Sequence, residues 1–137
     1  MAEKIRLADY FYIQCADTPG EAFRLLSALK EAGVNLLAFS AFPAGSNQSQ
    51  IDLVPESSDA LLKAAKAAGM TLSGRKRCFL IDGADRPGAV ADLLKKLADA
   101  KINGTACDAV CAGAGRFGAI LWVKPADLAG AAKVLGA

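Results

Sequence analysis

Two stretches of the chain carry the same apolar stripe. Leu25, Leu26 and Leu29 follow Ala22, and Leu93, Leu94 and Leu97 follow Val90. In each, the leucines stand at i, i+1 and i+4 with the small apolar residue three positions before, the spacing of an amphipathic helix that buries one face. Short runs rich in aromatic and branched residues flank these helices and predict strands. Tyr10–Ala16 and Arg77–Gly83 precede them, Val34–Phe42 and Ile102–Cys111 follow, and Gln50–Val54 and Phe117–Val123 come third. Small-residue loops, PAGSNQS and AGAGR, close a hairpin between the second and third strands of each set. SSDALLKAAKAAG and PADLAGAAKVLG then predict alanine-rich helices, with Ser57 or Ser58 as N-cap of the first and Pro125 in the first turn of the second.

The order β-α-β-β-α therefore occurs twice, and the copies keep register. At an offset of 68, Asp17, Pro19, Gly20, Leu25, Leu26, Leu29, Ala32 and Asn35 fall on Asp85, Pro87, Gly88, Leu93, Leu94, Leu97, Ala100 and Asn103. A fixed-offset agreement of this kind marks an internal repeat. The predicted fold class is α+β: two ferredoxin-like βαββαβ repeats, each an antiparallel sheet with helices on one face. We place the first domain at residues 1–74 and the second at 75–137. Met70–Gly74 supplies a fourth strand to the first copy, whereas the second copy reaches Ala137 where its own would begin. The second repeat is thus expected to lack its last strand, with the edge covered by Glu3–Ala8 or by a second chain.

Composition narrows the chemistry. The chain has 137 residues, 53% of them hydrophobic and 22% charged, with a formal charge of +2. That is the profile of a folded domain with a generous core. No basic cluster exceeds Arg75-Lys76-Arg77, so nucleic acid and lipid surfaces are poor partners. No apolar run is long enough to span a membrane and no signal peptide is evident, so we expect a cytoplasmic protein. The absence of histidine removes Ser-His-Asp and Cys-His catalysis and imidazole metal sites. Cys15, Cys78, Cys107 and Cys111 are expected to be reduced, structural thiols. Cys107 and Cys111 on one strand would be about 13 Å apart, too far for a disulfide or a shared metal ion. No metal, cofactor or catalytic group is expected.

The repeated Asp-x-Pro-Gly turn is the segment with binding potential. Pro19 and Pro87 suit a helix's first turn, and Gly20 and Gly88 let another group approach the backbone. The unsatisfied first-turn N–H groups at the positive end of the helix dipole form a seat for a carboxylate. Asp17 and Asp85 can cap the helix or accept from a ligand's ammonium group, and Asn35 and Asn103 offer amides at the start of the next strand. A turn of this kind also occurs as a plain strand-to-helix connection in which Asp17 or Thr18 caps the helix and nothing binds.

The β-α-β-β-α order, the D-x-P-G turn, the Leu-Leu-x-x-Leu helix and the Val/Ile-Asn strand start together resemble the ACT domain family. ADTPGEAFRLLSALKEAGVN and GADRPGAVADLLKKLADAKIN carry the resemblance, which covers Asp9 to Ala137 as a tandem pair. It implies a small-molecule sensor, typically of amino acids, whose ligand lies at an interface between paired domains near the turn. The ligand-binding candidates it implies are Asp17, Thr18, Gly20, Glu21 and Asn35, and in the second copy Asp85, Arg86, Gly88, Ala89 and Asn103. Two departures distinguish the copies: Gly33 becomes Lys101, and Thr18 becomes Arg86, a poor cap but a good carboxylate partner. With no catalytic domain in the sequence, the resemblance implies a free-standing, non-enzymatic regulatory protein that binds an amino acid and forms a homodimer, with a metabolic enzyme as the regulated partner. The alternative is a ligand-free interaction subunit of such an enzyme. An enzyme using Cys107 or Cys111 is disfavoured, because Asp108 between them faces away from both in a strand.

Overall fold

A computed structural model describes residues 3–137. Its elements run β1 (Lys4–Ala16), α1 (Glu21–Glu31), β2 (Leu36–Pro43), β3 (Gln48–Pro55), α2 (Ser58–Ala67), β4 (Lys76–Ala84), α3 (Ala89–Asp99), β5 (Gly104–Gly113), β6 (Arg116–Val123) and α4 (Leu128–Leu135), with a short 3-10 turn at Pro125–Asp127 before the last helix. The 68-residue offset survives folding. Helices α1 and α3 begin and end on equivalent residues, as do β3 and β6. Even the irregularity early in the second strand recurs, between Leu36 and Ala38 and between Gly104 and Ala106.

The chain divides into two compact units, one of Asp9–Lys76 and one of Arg77–Ala137 together with residues 3–8. In the first, β1 and β2 pair antiparallel with β3, giving the order β2-β3-β1. Phe11, Ile13, Ile51 and Leu53 on alternate strand positions meet Leu25, Leu29 and Leu61 of the two helices in one core. The expected fourth strand at Met70–Gly74 is not regular. The Ser73 N–H donates to the Tyr12 carbonyl at 2.8 Å, but the returning Tyr12 N–H donates to the Ser73 hydroxyl at 2.9 Å. A side-chain acceptor takes the place of a carbonyl, so the ladder does not propagate.

In the second unit β4 and β5 pair antiparallel with β6, and Phe79, Ile81, Phe117 and Leu121 meet Leu93, Leu97, Ala131 and Leu135. The place of the missing last strand, beside β4, is taken by the start of β1. Ile5 and Leu7 pack against this core while Lys4 and Arg6 point outward. The strand expected from Tyr10 thus begins at Lys4, because KIRLA alternates apolar and charged residues with the period of a half-buried strand. Of the two expected covers for the second copy's edge, the structure contains the N-terminal segment. Gly83 on β4 admits it: a Cβ there would lie 2.7 Å from Phe117 Cε1 and 2.8 Å from Glu3 Cγ. Among the described residues, no helix is long and apolar enough to cross a membrane.

Candidate functional site

Each copy leaves its first strand through the same turn. The Glu21 N–H donates to the Thr18 carbonyl at 3.3 Å, and Gly20 sits at φ 90°, ψ −13°. This is a type II turn with Pro19 and Gly20 at its centre. In the second copy the Ala89 N–H donates to the Arg86 carbonyl at 3.2 Å, and Gly88 sits at φ 82°, ψ 8°. The prolines therefore precede the helices instead of lying in their first turns. The glycines are there because the third turn residue needs a positive φ. Among the described residues nothing lies within 4 Å of the position a Cβ would take at either glycine, so they leave the space over both turns open.

The turn is braced against the hairpin of its own copy. The Asp17 N–H donates to the Asn47 carbonyl at 2.8 Å, and the equivalent Asp85 N–H donates to the Gly115 carbonyl at 2.8 Å. Side chains reinforce the brace differently. Asp17 accepts from the Ser49 hydroxyl at 2.8 Å. Asp85 is hydrogen-bonded to the Cys111 thiol, which together with burial and the carboxylate's charge raises that thiol above its ordinary pKa. Neither Ser49 nor Cys111 could be paired with these aspartates from their spacing, because both lie on the hairpin, far along the chain.

Neither aspartate caps its helix. Gly20 and Gly88 are the N-cap residues of α1 and α3, and among the described residues no side chain accepts from the first-turn amides of either helix. By contrast, Ser57 caps α2 and accepts from the Ala60 N–H at 3.2 Å. Capping by Asp17 or Thr18, the alternative to binding, does not occur, because the type II turn places both residues ahead of the N-cap. The two helix starts differ in charge. Glu21 pairs with Arg24, one turn along α1, and this holds the Glu21 carboxyl below its ordinary pKa. Arg86 lies 2.6 Å from Asp92 and 3.6 Å from Glu3, so the expected carboxylate partner of the second copy is already engaged within its own unit.

Within each copy the structure brings together Asp17, Thr18, Gly20 and Glu21, or Asp85, Arg86, Gly88 and Ala89. It does not bring the asparagines to them. Asn35 and Asn103 follow the helices that the turns precede, and an 11-residue helix spans about 16 Å. The Asn35 side-chain amide donates to the Glu56 carboxylate at 2.9 Å, and the Asn35 backbone carbonyl accepts from the Glu56 N–H at 2.9 Å, tying the start of β2 to the end of β3. Asn103 instead lines a cleft of about 260 Å³ with Leu94, Leu97 and Ala98 of α3 and Gly104, Ala106 and Cys107 of β5. This cleft was not legible in advance. It exists where Gly104 and Cys107 stand in place of Leu36 and Phe39 of the first copy.

Cys107 and Cys111 both lie on β5, opposite Leu121 and Phe117, and so on the helix-bearing face; Asp108, opposite Ile120, faces the other way. Burial, then the Asp108 charge, raises the Cys107 thiol.

No protein-family model matches the chain, and no curated protein matches it. Solved structures do. Protein BT0572 of Bacteroides thetaiotaomicron superposes with a TM-score of 0.82 at 16% identity, covering 96% of this chain and 88% of that one. The regulatory subunit of aspartate kinase from Thermus thermophilus gives 0.65 at 15% identity, covering 98% and 94%. The corresponding subunit from Thermus flavus gives 0.59 at 20%, covering 98% and 94%. The shared architecture is the tandem ACT fold, α+β with ferredoxin-like repeats.

Proposed function

We propose that this chain is a non-catalytic regulatory protein that binds a free α-amino acid at the D-x-P-G turn of its first copy. The observation that carries the reading is the start of α1: an open, braced turn leading into first-turn amides that no side chain caps. Those amides suit a carboxylate, and the Asp17 carboxylate beside them suits an ammonium group. Thr18 and Glu21 are the remaining contacts. The second-copy set of Asp85, Arg86, Gly88 and Ala89 is the weaker seat, since Arg86 is held by Asp92 and Glu3. Asn35 acts at a distance, by fixing the strand that follows the helix, and Asn103 stands at the cleft beside β5. A homodimer in the cytoplasm, acting on a metabolic enzyme, completes the reading. The regulatory subunits that share this fold support the choice of partner class.

A thermal-shift panel across the common amino acids tests it. Ligand at 100 times its dissociation constant stabilises by about 2.7 kcal/mol. We expect one amino acid or a small group to raise Tm, Gly20→Val to abolish that shift, and Gly88→Val to leave it. Circular dichroism on both variants checks that the fold is kept. No shift with any amino acid overturns the reading in favour of a ligand-free interaction subunit.

A further inference from the structure

An asparagine side chain can be attacked by its own backbone. The nitrogen of the next residue adds to the amide carbon, fastest when that residue is glycine, which has no Cβ in the way. Asn35, Asn47 and Asn103 are the asparagines of the chain, and of these Asn103 alone precedes a glycine. Asn103 and its first-copy equivalent, Asn35, both stand between a helix and a strand, but their surroundings differ. The Asn35 side-chain amide donates to the Glu56 carboxylate at 2.9 Å, and the bulky Leu36 follows it. At the 68-residue offset Glu56 becomes Lys124, whose ammonium is a donor and cannot accept from an amide. Asn103 is exposed, and among the described residues its side chain has no hydrogen-bond partner. It belongs to neither α3 nor β5, and the ladder shifts register just beyond it, between Gly104 and Ala106. The backbone at this step is therefore not fixed by a regular ladder. The cleft of about 260 Å³ beside both residues gives a ring formed there open space.

We propose that Asn103 is a site of spontaneous deamidation and isoaspartate formation, which turns the neutral cleft of the second copy into one that bears a carboxylate. The Gly104 backbone nitrogen bonds to Asn103 Cγ as the Cγ–Nδ2 bond breaks. The side-chain nitrogen leaves as ammonia, taking the Gly104 amide proton, and a cyclic imide remains. Water then opens the ring at either carbonyl. Opening at Cγ gives aspartate with the main chain unchanged. Opening at the backbone carbonyl gives isoaspartate, whose main chain runs through Cγ and is one methylene longer. One water is consumed and one ammonia released, and nothing is oxidised or reduced. Either product is ionised at neutral pH, which lowers the formal charge of the chain from +2 to +1. Among the described residues, the lining of the cleft carries no charged side chain, so this carboxylate sets its sign. Apolar occupants are then disfavoured and cationic ones favoured. The second copy thus carries a one-way mark of the age of the chain, while the first copy is shielded by Glu56 and Leu36. The proposal does not depend on amino-acid binding.

The experiment ages the full chain in heavy-oxygen water at physiological temperature and mildly alkaline pH. The chain is then digested with trypsin in ordinary water, and the peptide Ile102–Arg116 is followed by chromatography and mass spectrometry. We expect this peptide to give way to two isomers that each carry one heavy oxygen, the isoaspartyl form resisting cleavage by endoproteinase Asp-N at residue 103. Peptides holding Asn35 and Asn47 should stay unchanged over the same interval. Gly104→Ala should all but abolish the conversion, and Lys124→Glu, which supplies the acceptor that Asn35 has, should slow it. Circular dichroism on both variants checks that the fold is kept. A parallel incubation in urea separates the dipeptide from its setting: folded and unfolded chains should convert at comparable rates. An Asn103 that persists in the folded chain while the unfolded one converts overturns the proposal, and so does conversion undiminished in Gly104→Ala. A Lys124→Glu chain that converts as fast as the unmodified one overturns the role given to the missing acceptor.

Discussion

At Lys101 the two copies put different residues into the same left-handed backbone. The lysine has φ 57°, in the left-handed region, at the position where Gly33 has φ 74°. Both close a helix with the same paired bonds: Ile102 N–H to the Leu97 carbonyl at 2.9 Å, and Val34 N–H to the Leu29 carbonyl at 3.0 Å. A lysine there carries a steric cost of about 1 kcal/mol that glycine does not. Lys101→Gly should therefore stabilise the protein by about that amount, raising Tm by a few degrees in a calorimetric scan; an unchanged or lower Tm would be the contrary result. The site difference was visible in the sequence as a departure from the repeat, but its cost needed the dihedral angle. Cys111 makes a second residue-level prediction. Its bond to Asp85 favours the neutral thiol in the fold, so that contribution to stability is present below the free thiol's pKa and fades as pH rises through the folded one. Alkylation by iodoacetamide, which requires the thiolate, should reach half-rate at a higher pH than in a free thiol. Asp85→Asn should bring that midpoint down.

Among the elements, the strands and helices followed from apolar periodicity because each has one buried face. The repeat helped further, since a weak pattern in one copy was supported by its equivalent in the other. The misses share a cause: they depend on partners distant along the chain. The first strand looked as though it began at Tyr10, but β4 and the core of Phe79 and Leu121 give Ile5 and Leu7 something to cover, so it begins at Lys4. Met70–Gly74 looked like a strand, but the Ser73 hydroxyl intercepts the ladder. The turn residues Asp17 and Asp85 were identified as a pair, while their partners Ser49 and Cys111 were invisible because hairpin geometry decides which residue arrives there. Gly83 tests the element-level account. Gly83→Ala would crowd the buried Phe117 ring and the Glu3 side chain, and overpacking of this kind typically costs about 1–3 kcal/mol. Urea denaturation should show that loss. The equivalent position in the first copy is Cys15, where a side chain is accommodated, so Cys15→Ala should cost much less.

At the scale of the whole molecule, β1 belongs to both units, its first residues to one and Asp9–Ala16 to the other. A cut between the two repeats in sequence would therefore not yield two working halves. Residues 75–137 alone would lack the strand beside β4, while residues 1–74 would carry that strand with nothing to cover. The second unit also joins residues from opposite ends of the chain, which are contacts of long sequence separation. Folding should slow accordingly, and in synthesis the N-terminal strand waits for β4, β6 and α4 to emerge before it can dock. A rearranged chain, with residues 3–8 moved behind Ala137 on a flexible linker, would make that contact local and should let the second repeat fold as an isolated piece.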